Sequence, residues 1–375
     1  KRSIMKIGIL TSSRADYGIY LPLLNEFKKD IFFNLEIIAF GTHLSEIHGF
    51  TLTDIINDEY DTIHKITSLV DDDSEKGIAI SYGNTVLEFS SFWSIQKFDL
   101  VFCLGDRFEM SAAVQASIPF GVKLAHLHGG ETTLGAIDNI YRHQISIASK
   151  YHFVSTNVSM RKVKELTGSS NFIYDVGSLS LSNIETFKPV DRSIFFKNYN
   201  INDAPYILVT FHPETVSVKN NLAYAKIIKD VLTILCKTIN VVITMPNADT
   251  LGSVYRNELN QLKISNPEKV LLVENFGKVN YFNAMFYSTL LIGNTSSGII
   301  EAASFNKYVI NVGDRQKGRT HGANVFNTGF DSFKIIEIFN NLINEKDLKM
   351  DNIYFKKHTA RKIISTLKTY FNDKL

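Results

Sequence analysis

Short runs of apolar residues recur along the chain, and most of them end in Gly, Asn, Asp or Ser just before a segment with helical spacing. This alternation is typical of parallel β-sheets whose strands are joined by crossover helices. In the first half of the chain the predicted strands cover residues 5–11, 35–40, 100–104, 122–128, 151–155 and 172–176. In the second half they cover residues 206–211, 241–244, 270–273, 290–292 and 309–312, with a helix over 222–235. The pattern therefore predicts an α/β protein.

The pattern breaks between about residues 183 and 205, where the chain is polar and aromatic without a clear period. We therefore predict two Rossmann-like, doubly wound domains, one over residues 1–183 and one over residues 184–354. Residues 355–375 are predicted to form a helix that packs back towards the N-terminal domain, because apolar side chains from Ile363 to Phe371 share one side of it. The two domains are expected to face a central cleft at the carboxyl ends of their strands, where open α/β folds bind ligands.

Composition narrows the class of protein. The chain has 375 residues and 45% hydrophobic content, which is enough for two buried cores. Its net charge of +2 gives no general attraction to nucleic acid or to an anionic membrane, so neither is an expected partner. The 2 cysteines, Cys103 and Cys236, lie in apolar runs and are predicted to be buried thiols, which fits a cytoplasmic protein. No apolar run approaches the roughly 20 residues that span a bilayer, and the start has no signal-peptide pattern.

One segment has the composition of a phosphate site. Gly293-Asn294-Thr295-Ser296-Ser297-Gly298 lies between a predicted strand and a helix predicted to begin near residue 299. Free amides and hydroxyls at such a helix start suit a diphosphate, although ordinary helix capping explains the same residues equally well. Glu301, placed in the first turn of the predicted helix, is expected either to accept hydrogen bonds from a ribose or to complement the helix dipole.

Cationic and polar side chains follow several predicted strands. Arg14, Arg107 and Arg315 lie in such strand-end loops. A single arginine there is more typical of a surface ion pair, but together with the Gly-rich helix start they favour a shared phosphate ligand. His212 also ends a strand and is interpreted either as a phosphate donor and proton shuttle or as a structural histidine. Neither a Walker lysine loop nor a G-x-G-x-x-G fingerprint occurs, which disfavours an ATPase or a dehydrogenase.

Carboxylates and histidines are concentrated in the middle of the chain, at Asp106, His126, His128, Glu131 and Asp138. Strand alternation places His126 and His128 on one face, and the glycine pair that follows allows a tight turn that projects Glu131. Such crowding indicates acid/base chemistry, while helix capping by Asp106 and buried structural histidines are the alternative. No H-E-x-x-H spacing occurs, so no metal is predicted.

In this order the segments resemble the hydrolysing UDP-N-acetylglucosamine 2-epimerases of bacterial sialic acid biosynthesis. The resemblance runs over nearly the whole chain, through Ser13-Arg14-Ala15-Asp16-Tyr17-Gly18, Gly105-Asp106-Arg107, His128-Gly129-Gly130-Glu131, Arg142-His143, Phe211-His212-Pro213, Gly293-Asn294-Thr295-Ser296 and Gly313-Asp314-Arg315-Gln316. It implies the GT-B-like fold of many nucleotide-sugar glycosyltransferases. It implies that UDP is bound by Arg14, Arg107, His212, Asn247, Thr295, Ser296, Ser297, Glu301 and Arg315, and that the catalytic residues are Asp106, Glu131, Asp138, His128 and His212.

Two residues depart from the family pattern. Ser12 stands where a glycine is common before the Ser-Arg pair, and His128 stands where many members carry a catalytic glutamate. A subgroup of the family has histidine at that place, so the departure leaves the role of His128 open. Glu131 is the candidate for the missing carboxylate's task.

The resemblance implies a hydrolase of the glycosidase class, acting as a homodimer or homotetramer without a cofactor. Its implied reaction converts UDP-N-acetylglucosamine and water to N-acetylmannosamine and UDP through a 2-acetamidoglucal. The chemistry is sound, because departure of UDP builds positive charge at C1 and acidifies the hydrogen on C2, which a carboxylate can then remove. The alternatives are hydrolytic epimerisation of UDP-N,N'-diacetylbacillosamine for legionaminic acid, a GT-B glycosyltransferase, and a non-catalytic nucleotide-sugar sensor.

Overall fold

The computed structural model describes residues 4–47, 49–72, 74–215, 218–246, 252–345 and 351–372. The chain divides into two compact units. The first comprises Lys1–Glu131, Asp138–Glu185 and Tyr354–Leu375, and the second comprises Thr132–Ile137 and Thr186–Ile353. The short segment Thr132–Ile137 thus differs from the expectation that all of residues 1–183 belong to the N-terminal domain: the Leu134 amide donates to the Lys317 carbonyl at 2.8 Å, within the second unit.

The first unit is built on a parallel sheet. Its strands are β1 (Met5–Thr11), β2 (Phe33–Phe40), β3 (Thr62–Ile66), β4 (Leu100–Leu104), β5 (Leu124–Leu127), β6 (Tyr151–Val154) and β7 (Ile173–Asp175). They lie in the order β3-β2-β1-β4-β5-β6-β7. The strands are nearly continuous apolar runs because helices cover both faces of the sheet.

The helices of the first unit are α1 (Arg14–Lys28), α2 (Leu52–Asn57), α3 (Glu75–Ile95), α4 (Phe108–Ser117), α5 (Asp138–Ala148), α6 (Asn157–Thr167) and α13 (Thr359–Asn372), with 3₁₀ turns at Gly41–Leu44, Ile118–Phe120 and Leu179–Thr186. One core cluster joins the sheet to α1 and to Ile363 and Leu367 of α13. A second cluster joins the opposite face to Phe89 of α3, Met110 of α4 and Ile145 of α5. The unit is therefore a three-layer α/β/α structure.

The second unit repeats this architecture. Its strands are β8 (Tyr206–Thr210), β9 (Asn240–Thr244), β10 (Val270–Val273), β11 (Leu291–Gly293), β12 (Val309–Val312) and β13 (Val325–Thr328), in the order β10-β9-β8-β11-β12-β13. Its helices are α7 (Arg192–Tyr199), α8 (Asn221–Leu235), α9 (Gly252–Ser265), α10 (Gly277–Tyr287), α11 (Ser296–Ile300) and α12 (Ser332–Leu342), with 3₁₀ turns at Val218–Asn220 and Ala302–Phe305. Both units have the doubly wound, Rossmann-like order, which confirms the predicted fold class.

Strands β3 and β13 were missing from the predicted strands, and helix α7 was not predicted either. Helix α7 lies in the stretch that shows no clear period, yet it has a regular start and end. Asp191 accepts hydrogen bonds from the Ser193 and Ile194 amides, and Asn200 ends the helix in the left-handed region at φ 53. Adjacent Phe195 and Phe196 are both buried, and such a pair hides the spacing by which a helix is recognised.

Within the described residues, no helix is both long enough and apolar enough to cross a membrane.

Candidate active site

In the first unit the strand order reverses between β1 and β4, which are hydrogen-bonded neighbours. Open α/β folds bind their ligands at the carboxyl edge of the sheet beside such a reversal. The loop after β1 carries Arg14, and the loop after β4 carries Asp106 and Arg107. The fold therefore brings these sequence-predicted residues to the carboxyl edge of one sheet.

The loop before α1 is fixed by the buried carboxylate of Asp16. Oδ2 accepts the Ser12 amide at 2.8 Å and Oδ1 accepts the Ser13 amide at 3.0 Å, while Ser13 caps the helix in return. This capping box leaves the Arg14 side chain 61% exposed, with Asp54 at 3.8 Å from its Nε. These hydrogen bonds hold the loop backbone, and the Arg14 guanidinium is accessible to a ligand.

The central feature of the first unit is an ion pair between Asp106 and the buried Arg142. Nη2 of Arg142 donates to Oδ2 of Asp106, and Nη1 donates to the backbone carbonyl of Glu131 at 3.0 Å. Only 3% of the Arg142 side chain is exposed, against 28% for Asp106. Arg142 thus positions the loops that follow β4 and β5 relative to each other, and it keeps a partly accessible carboxylate in place.

Glu131 itself is 5% exposed and accepts a hydrogen bond from Ser155 Oγ to Oε1 at 2.7 Å. The turn that precedes Glu131 depends on glycine. Gly130 has φ 75, and a Cβ there would lie 2.3 Å from the Ser159 carbonyl oxygen. Backbone conformation and space both exclude a larger residue at this position. The predicted tight turn before Glu131 therefore has a clear steric basis.

The prediction that His126 and His128 share one face of a strand is wrong. Strand β5 ends at Leu127, and His128 has φ 61, so the alternation stops before it. Nε2 of His126 contacts the Gly105 carbonyl at 2.9 Å, and because a carbonyl only accepts, that nitrogen carries the proton. Nε2 of His128 instead accepts the Leu179 amide at 3.0 Å. The histidines hold two different loops.

Buried histidines make the protein sensitive to acid. Burial lowers the pKa of His126 to about 3 and that of His152 to about 4. Below the ordinary pKa of 6.5 the unfolded chain therefore binds protons at these histidines that the folded chain does not. Their contribution to the free energy of unfolding is complete above pH 6.5 and is lost as the pH decreases towards 4.

We expect His152→Gln to reduce the slope of unfolding free energy against pH between these values. The measurement is denaturant unfolding at several pH values, with the exposed His358→Gln as the comparison. Equal slopes for the wild type and His152→Gln would contradict the assignment.

Arg107 and Asp138 are the remaining predicted site residues of the first unit. The Arg107 guanidinium donates two hydrogen bonds to the buried carboxylate of Glu109, from Nη2 to Oε1 at 2.7 Å and from Nε to Oε2 at 3.2 Å. Glu109 raises the pKa of Arg107, and the charges of Asp16 and Asp138 act in the same direction. Arg107 is therefore a permanent cation that is held in one orientation. Asp138 is half-buried at the first position of α5, one turn before Arg142.

In the second unit the strand order reverses between β8 and β11, and the loops after them carry His212 and Thr295. The fully buried Asn294 joins these loops. Its Nδ2 donates to the His212 carbonyl and its Oδ1 accepts the His212 amide, both at 2.8 Å. Burial, and secondarily the charge of Arg315, lower the pKa of His212 to about 3. His212 is therefore neutral and fixed through its backbone.

Hydroxyl groups cluster at the start of α11. Thr295 caps the helix by accepting the Gly298 amide at 3.3 Å, and its Oγ1 lies 2.8 Å from Ser297 Oγ. The Tyr281 hydroxyl lies 3.1 Å from Ser297 Oγ. Ser296, the first residue of the helix, is exposed. Of the predicted hydroxyls, Ser296 thus faces solvent while Thr295 and Ser297 are tied into the capping network.

The helix start was predicted three residues too late, and this misplaces Glu301. Helix α11 spans Ser296–Ile300, so Glu301 is its C-terminal cap rather than a residue of its first turn. It cannot complement the positive end of the dipole from there. The role as ribose acceptor stays a prediction, and the side chain is half-buried. Its charge raises the pKa of Lys278, although burial of that amine lowers it more.

The loop after β12 brings Arg315 to the same edge. Arg315 Nη1 and Gln316 Nε2 donate to the Asn294 carbonyl at 3.4 and 3.1 Å. Glu214 fixes the loop by accepting the Asp314 amide at 2.7 Å, and burial raises the pKa of that carboxyl. Asn247, which the sequence also predicted for UDP, lies outside the described residues.

Sequence reasoning assigned no task to Arg142, Asn294 or Asp16, although each one orders a predicted site residue. Asp16 carried a usable signal, since Ser13-Arg14-Ala15-Asp16 has the spacing of a capping box. Arg142 and Asn294 lie in segments that carry the family resemblance, but nothing in the sequence indicated their contacts, because their partners are distant in the chain and are brought near only by folding. In the described part of the chain, no three His, Cys, Asp or Glu side chains are grouped as a metal site.

Comparison with known proteins agrees with this geometry. A model of the UDP-N-acetylglucosamine 2-epimerase family matches residues 25–368. A UDP-N,N'-diacetylbacillosamine 2-epimerase (hydrolyzing) from Legionella pneumophila is 31% identical over 98% of this chain and 96% of its own. A GDP/UDP-N,N'-diacetylbacillosamine 2-epimerase (hydrolyzing) from Campylobacter jejuni is 33% identical over 86% and 84%.

A solved structure is similar over nearly the whole chain. The UDP-GlcNAc 2-epimerase from Neisseria meningitidis bound to UDP-GlcNAc superposes with a TM-score of 0.79, over 97% of this chain and 100% of its own, at 19% identity. This similarity establishes the GT-B-like fold. The family match over most of the chain and the relatives above 30% identity also establish the family. The chain belongs to the UDP-N-acetylglucosamine 2-epimerase family and is a hydrolysing 2-epimerase.

Proposed function

We propose that the enzyme cleaves a UDP-linked 2-acetamido sugar to UDP and the free 2-epimer. The observation that carries the proposal is the Asp106–Arg142–Glu131 arrangement, in which a buried cation holds one carboxylate and the backbone of a second acidic residue at the sheet edge. A site that only bound a neutral sugar would need no such set. Because UDP leaves C1 and water adds there, the net reaction is a hydrolysis of the glycosidase type.

We assign the proton transfers at C2 to carboxylates of the first unit. Loss of UDP gives C1 oxocarbenium character and acidifies the hydrogen on C2. One carboxylate removes that proton to give the glycal, and a carboxylic acid later returns a proton to the opposite face of C2 while water adds at C1. Asp106, Glu131 and Asp138 are the candidates for these roles.

We assign His128 a positioning role. Its Nε2 accepts the Leu179 amide, so this nitrogen cannot remove a proton from a sugar while that hydrogen bond lasts. The ring holds the 3₁₀ segment Leu179–Thr186 against the loop that leads to Glu131. The carboxylate's task that the family pattern places at this position then falls to Glu131.

We assign the leaving diphosphate to cations and donors at the strand ends. The proposed UDP ligands are Arg14, Arg107, His212, Asn247, Thr295, Ser296, Ser297, Glu301 and Arg315. A neutral His212 can donate one ring N–H to a phosphate oxygen without the cost of desolvating an imidazolium. Donors that are fixed before the reaction stabilise the charge that develops on the leaving group, which is usually the largest catalytic term.

Arg315→Met is expected to weaken UDP binding by about 10- to 100-fold, because a hydrogen bond from a charged donor contributes about 1.5–3 kcal/mol. Isothermal titration with UDP measures the loss. Lys317→Met removes a positive charge from the same loop, but that lysine is 60% exposed and pairs with Asp314 at 3.5 Å. If both variants lost the same UDP affinity, the effect would come from the net positive charge of the loop, and Arg315 would not be a direct UDP ligand.

For the sugar, UDP-N-acetylglucosamine is the first candidate, supported by the matching family model. N-acetylmannosamine would then be the product, for sialic acid synthesis. UDP-N,N'-diacetylbacillosamine is the second candidate, favoured by the names of two relatives that are more than 30% identical. The two substrates share C1, C2 and the nucleotide and differ at C4 and C6, so the same chemistry serves both.

Proton NMR in deuterated water with each nucleotide sugar in turn tests the proposal. Free sugar with inverted C2 carrying deuterium, together with UDP, is the expected result for the true substrate. Turnover of only the diacetylbacillosamine nucleotide would select the second candidate. No turnover of either substrate would refute the proposal in favour of a transferase or a sensor, and titration with UDP would then show whether the nucleotide still binds.

A further inference from the structure

The segment between Glu131 and Asp138 belongs to a different unit from the two carboxylates that it joins. Glu131 ends one stretch of the first unit and Asp138 begins the next, whereas Thr132–Ile137 belongs to the second unit. We call this segment the strap. Both residues that border it are candidates for the proton transfers at C2, so the position of the strap bears on the acid/base groups.

The strap lies on the loop of residues 313–319, which follows β12. The Leu134 amide donates to the Lys317 carbonyl of this loop at 2.8 Å. Gly135 is buried, and a Cβ built on it would lie 1.8 Å from the Asp314 carbonyl oxygen. Only glycine lets two backbones approach so closely. The strap and the 313–319 loop are therefore packed backbone against backbone.

The 313–319 loop has anchors of its own. Its first residue donates its amide to β13 at 2.8 Å, and the Asp314 amide donates to Glu214 at 2.7 Å. Gln316 Nε2 donates to the Asn294 carbonyl at 3.1 Å. None of these three hydrogen bonds involves the strap. The loop is thus the fixed partner of the contact, and the strap is the part that the contact positions.

The strap is a tight turn that leads directly into a helix. The Ala136 amide donates to the Thr133 carbonyl at 3.1 Å, so Leu134 and Gly135 are the central residues of a β-turn. Helix α5 begins directly after the strap, with Asp138 as its first residue. A shift of the turn is therefore passed to Asp138, only three positions beyond Gly135.

Glu131, at the other end of the strap, is held by its own unit. Ser155 donates to its carboxylate at 2.7 Å, and Arg142 donates to its backbone carbonyl at 3.0 Å. These contacts keep Glu131 in place when the strap moves. Asp138 is therefore the carboxylate whose position depends most on the strap.

We propose that the strap positions Asp138 for proton transfer, through the backbone of Gly135 and the amide of residue 134. The 313–319 loop carries the proposed diphosphate ligand Arg315, and through the strap it also places an acid/base group. A contact within the second unit then controls chemistry that the first unit performs. The inference rests on the proposed function, because it requires Asp138 to act at the sugar.

Leu134→Pro removes the hydrogen bond to the 313–319 loop and keeps the turn. Proline has no N–H to donate, and its fixed φ suits the second position of a β-turn. We expect kcat for the UDP-sugar to fall about 10- to 100-fold, because a displacement of about 1 Å at a reacting group has an effect of that order. UDP affinity, measured by calorimetric titration, should change by less than about threefold. Leu134→Ala keeps the amide and trims a side chain that is 59% exposed, so this matched control should turn over like the wild type.

Gly135→Ala tests the same contact by steric means. The new methyl group must push the strap away from the Asp314 carbonyl, so kcat should again fall about tenfold or more. Gly329→Ala is its control in the second unit, because a Cβ there would meet no heavy atom of the described residues within 4 Å. If Gly135→Ala weakened UDP binding and retained kcat, the loop would have yielded instead of the strap, and the proposal would be wrong.

A double-mutant cycle shows whether the effect passes through Asp138. Asp138→Asn removes the acid/base group, so adding Leu134→Pro to it should lower kcat little further. Losses that multiply in the double variant would refute the proposal, as would normal turnover by Asp138→Asn, with circular dichroism and thermal unfolding showing that each variant is folded. A wild-type enzyme that turned over neither nucleotide sugar would instead refute the proposed function, so the two failures are distinguishable.

Discussion

Asp106→Asn is expected to lower turnover of the UDP-sugar by about 10²–10⁴-fold, the usual contribution of a positioned general acid or base. The substituted amide keeps one oxygen for Arg142, so the ion-pair geometry is largely preserved while proton transfer is lost. UDP binding should change by less than about tenfold, or roughly 1.4 kcal/mol, because Asp106 is proposed to act at the sugar. A coupled assay of UDP release measures turnover, and calorimetric titration measures binding.

Asp99→Asn provides the matched control for this substitution. Asp99 precedes β4 and Asp106 follows it, so the two carboxylates lie at opposite ends of one strand. Asp99 accepts the Lys6 amide at 2.8 Å, which gives it a structural task far from the proposed chemistry. The control should retain turnover close to that of the wild type. A folded Asp106→Asn enzyme with normal turnover would remove Asp106 from the mechanism, whereas loss of turnover in both variants would indicate a general effect of the substitution on the sheet.

Gly130→Ala should destabilise the first unit by about 2–5 kcal/mol. The left-handed backbone at φ 75 costs about 1–2 kcal/mol for any residue with a Cβ. The new methyl group would also lie 2.3 Å from the Ser159 carbonyl oxygen and 2.8 Å from Val163, and overpacking of this kind adds about 1–3 kcal/mol. Relief of the clash must move the turn, so the position of Glu131 and the activity should suffer as well. Denaturant unfolding and turnover test both effects.

Gly105→Ala separates the cost of the left-handed backbone from the cost of the steric clash. Gly105 has the same φ of 75, but a Cβ there meets no heavy atom within 4 Å. It should therefore lose only the conformational part, about 1–2 kcal/mol. The difference between the variants measures the clash with the helix that carries Ser159. If Gly130→Ala were no more destabilising than Gly105→Ala, the close packing of the turn would not be the reason for glycine at this position.

Buried strands were the easiest elements to predict. Strands β1, β4 and β12 begin and end at the predicted residues, because a strand covered on both faces is a continuous apolar run with polar residues at its ends. Half-exposed elements were harder. Strand β3 lies at one edge of its sheet, and most of its residues are only half-buried, so its composition resembles that of a loop.

The histidine pair shows where local patterns fail. Alternation is a property of extended backbone, and it placed His126 and His128 together only on the assumption that the strand continued. The turn towards Glu131 begins directly after Leu127, because His128 already adopts a positive φ and Gly130 packs against α6. The conformation of His128 is stabilised by the Phe153 carbonyl and the Leu179 amide, and neither partner can be foreseen from neighbouring residues.

The sequence by itself determined the α/β class, the bounds of buried strands such as β1, β4 and β12, and the family, since these depend on local periodicity and on motifs that are continuous in the chain. Only the tertiary structure decided which side chains hold the predicted site residues in place. Arg142 meets Asp106 across 36 positions of the chain, and Asn294 meets His212 across 82. Such pairs form because parallel strands bring loops that are distant in sequence to one edge of a sheet, and a pattern of neighbouring residues contains no record of that contact.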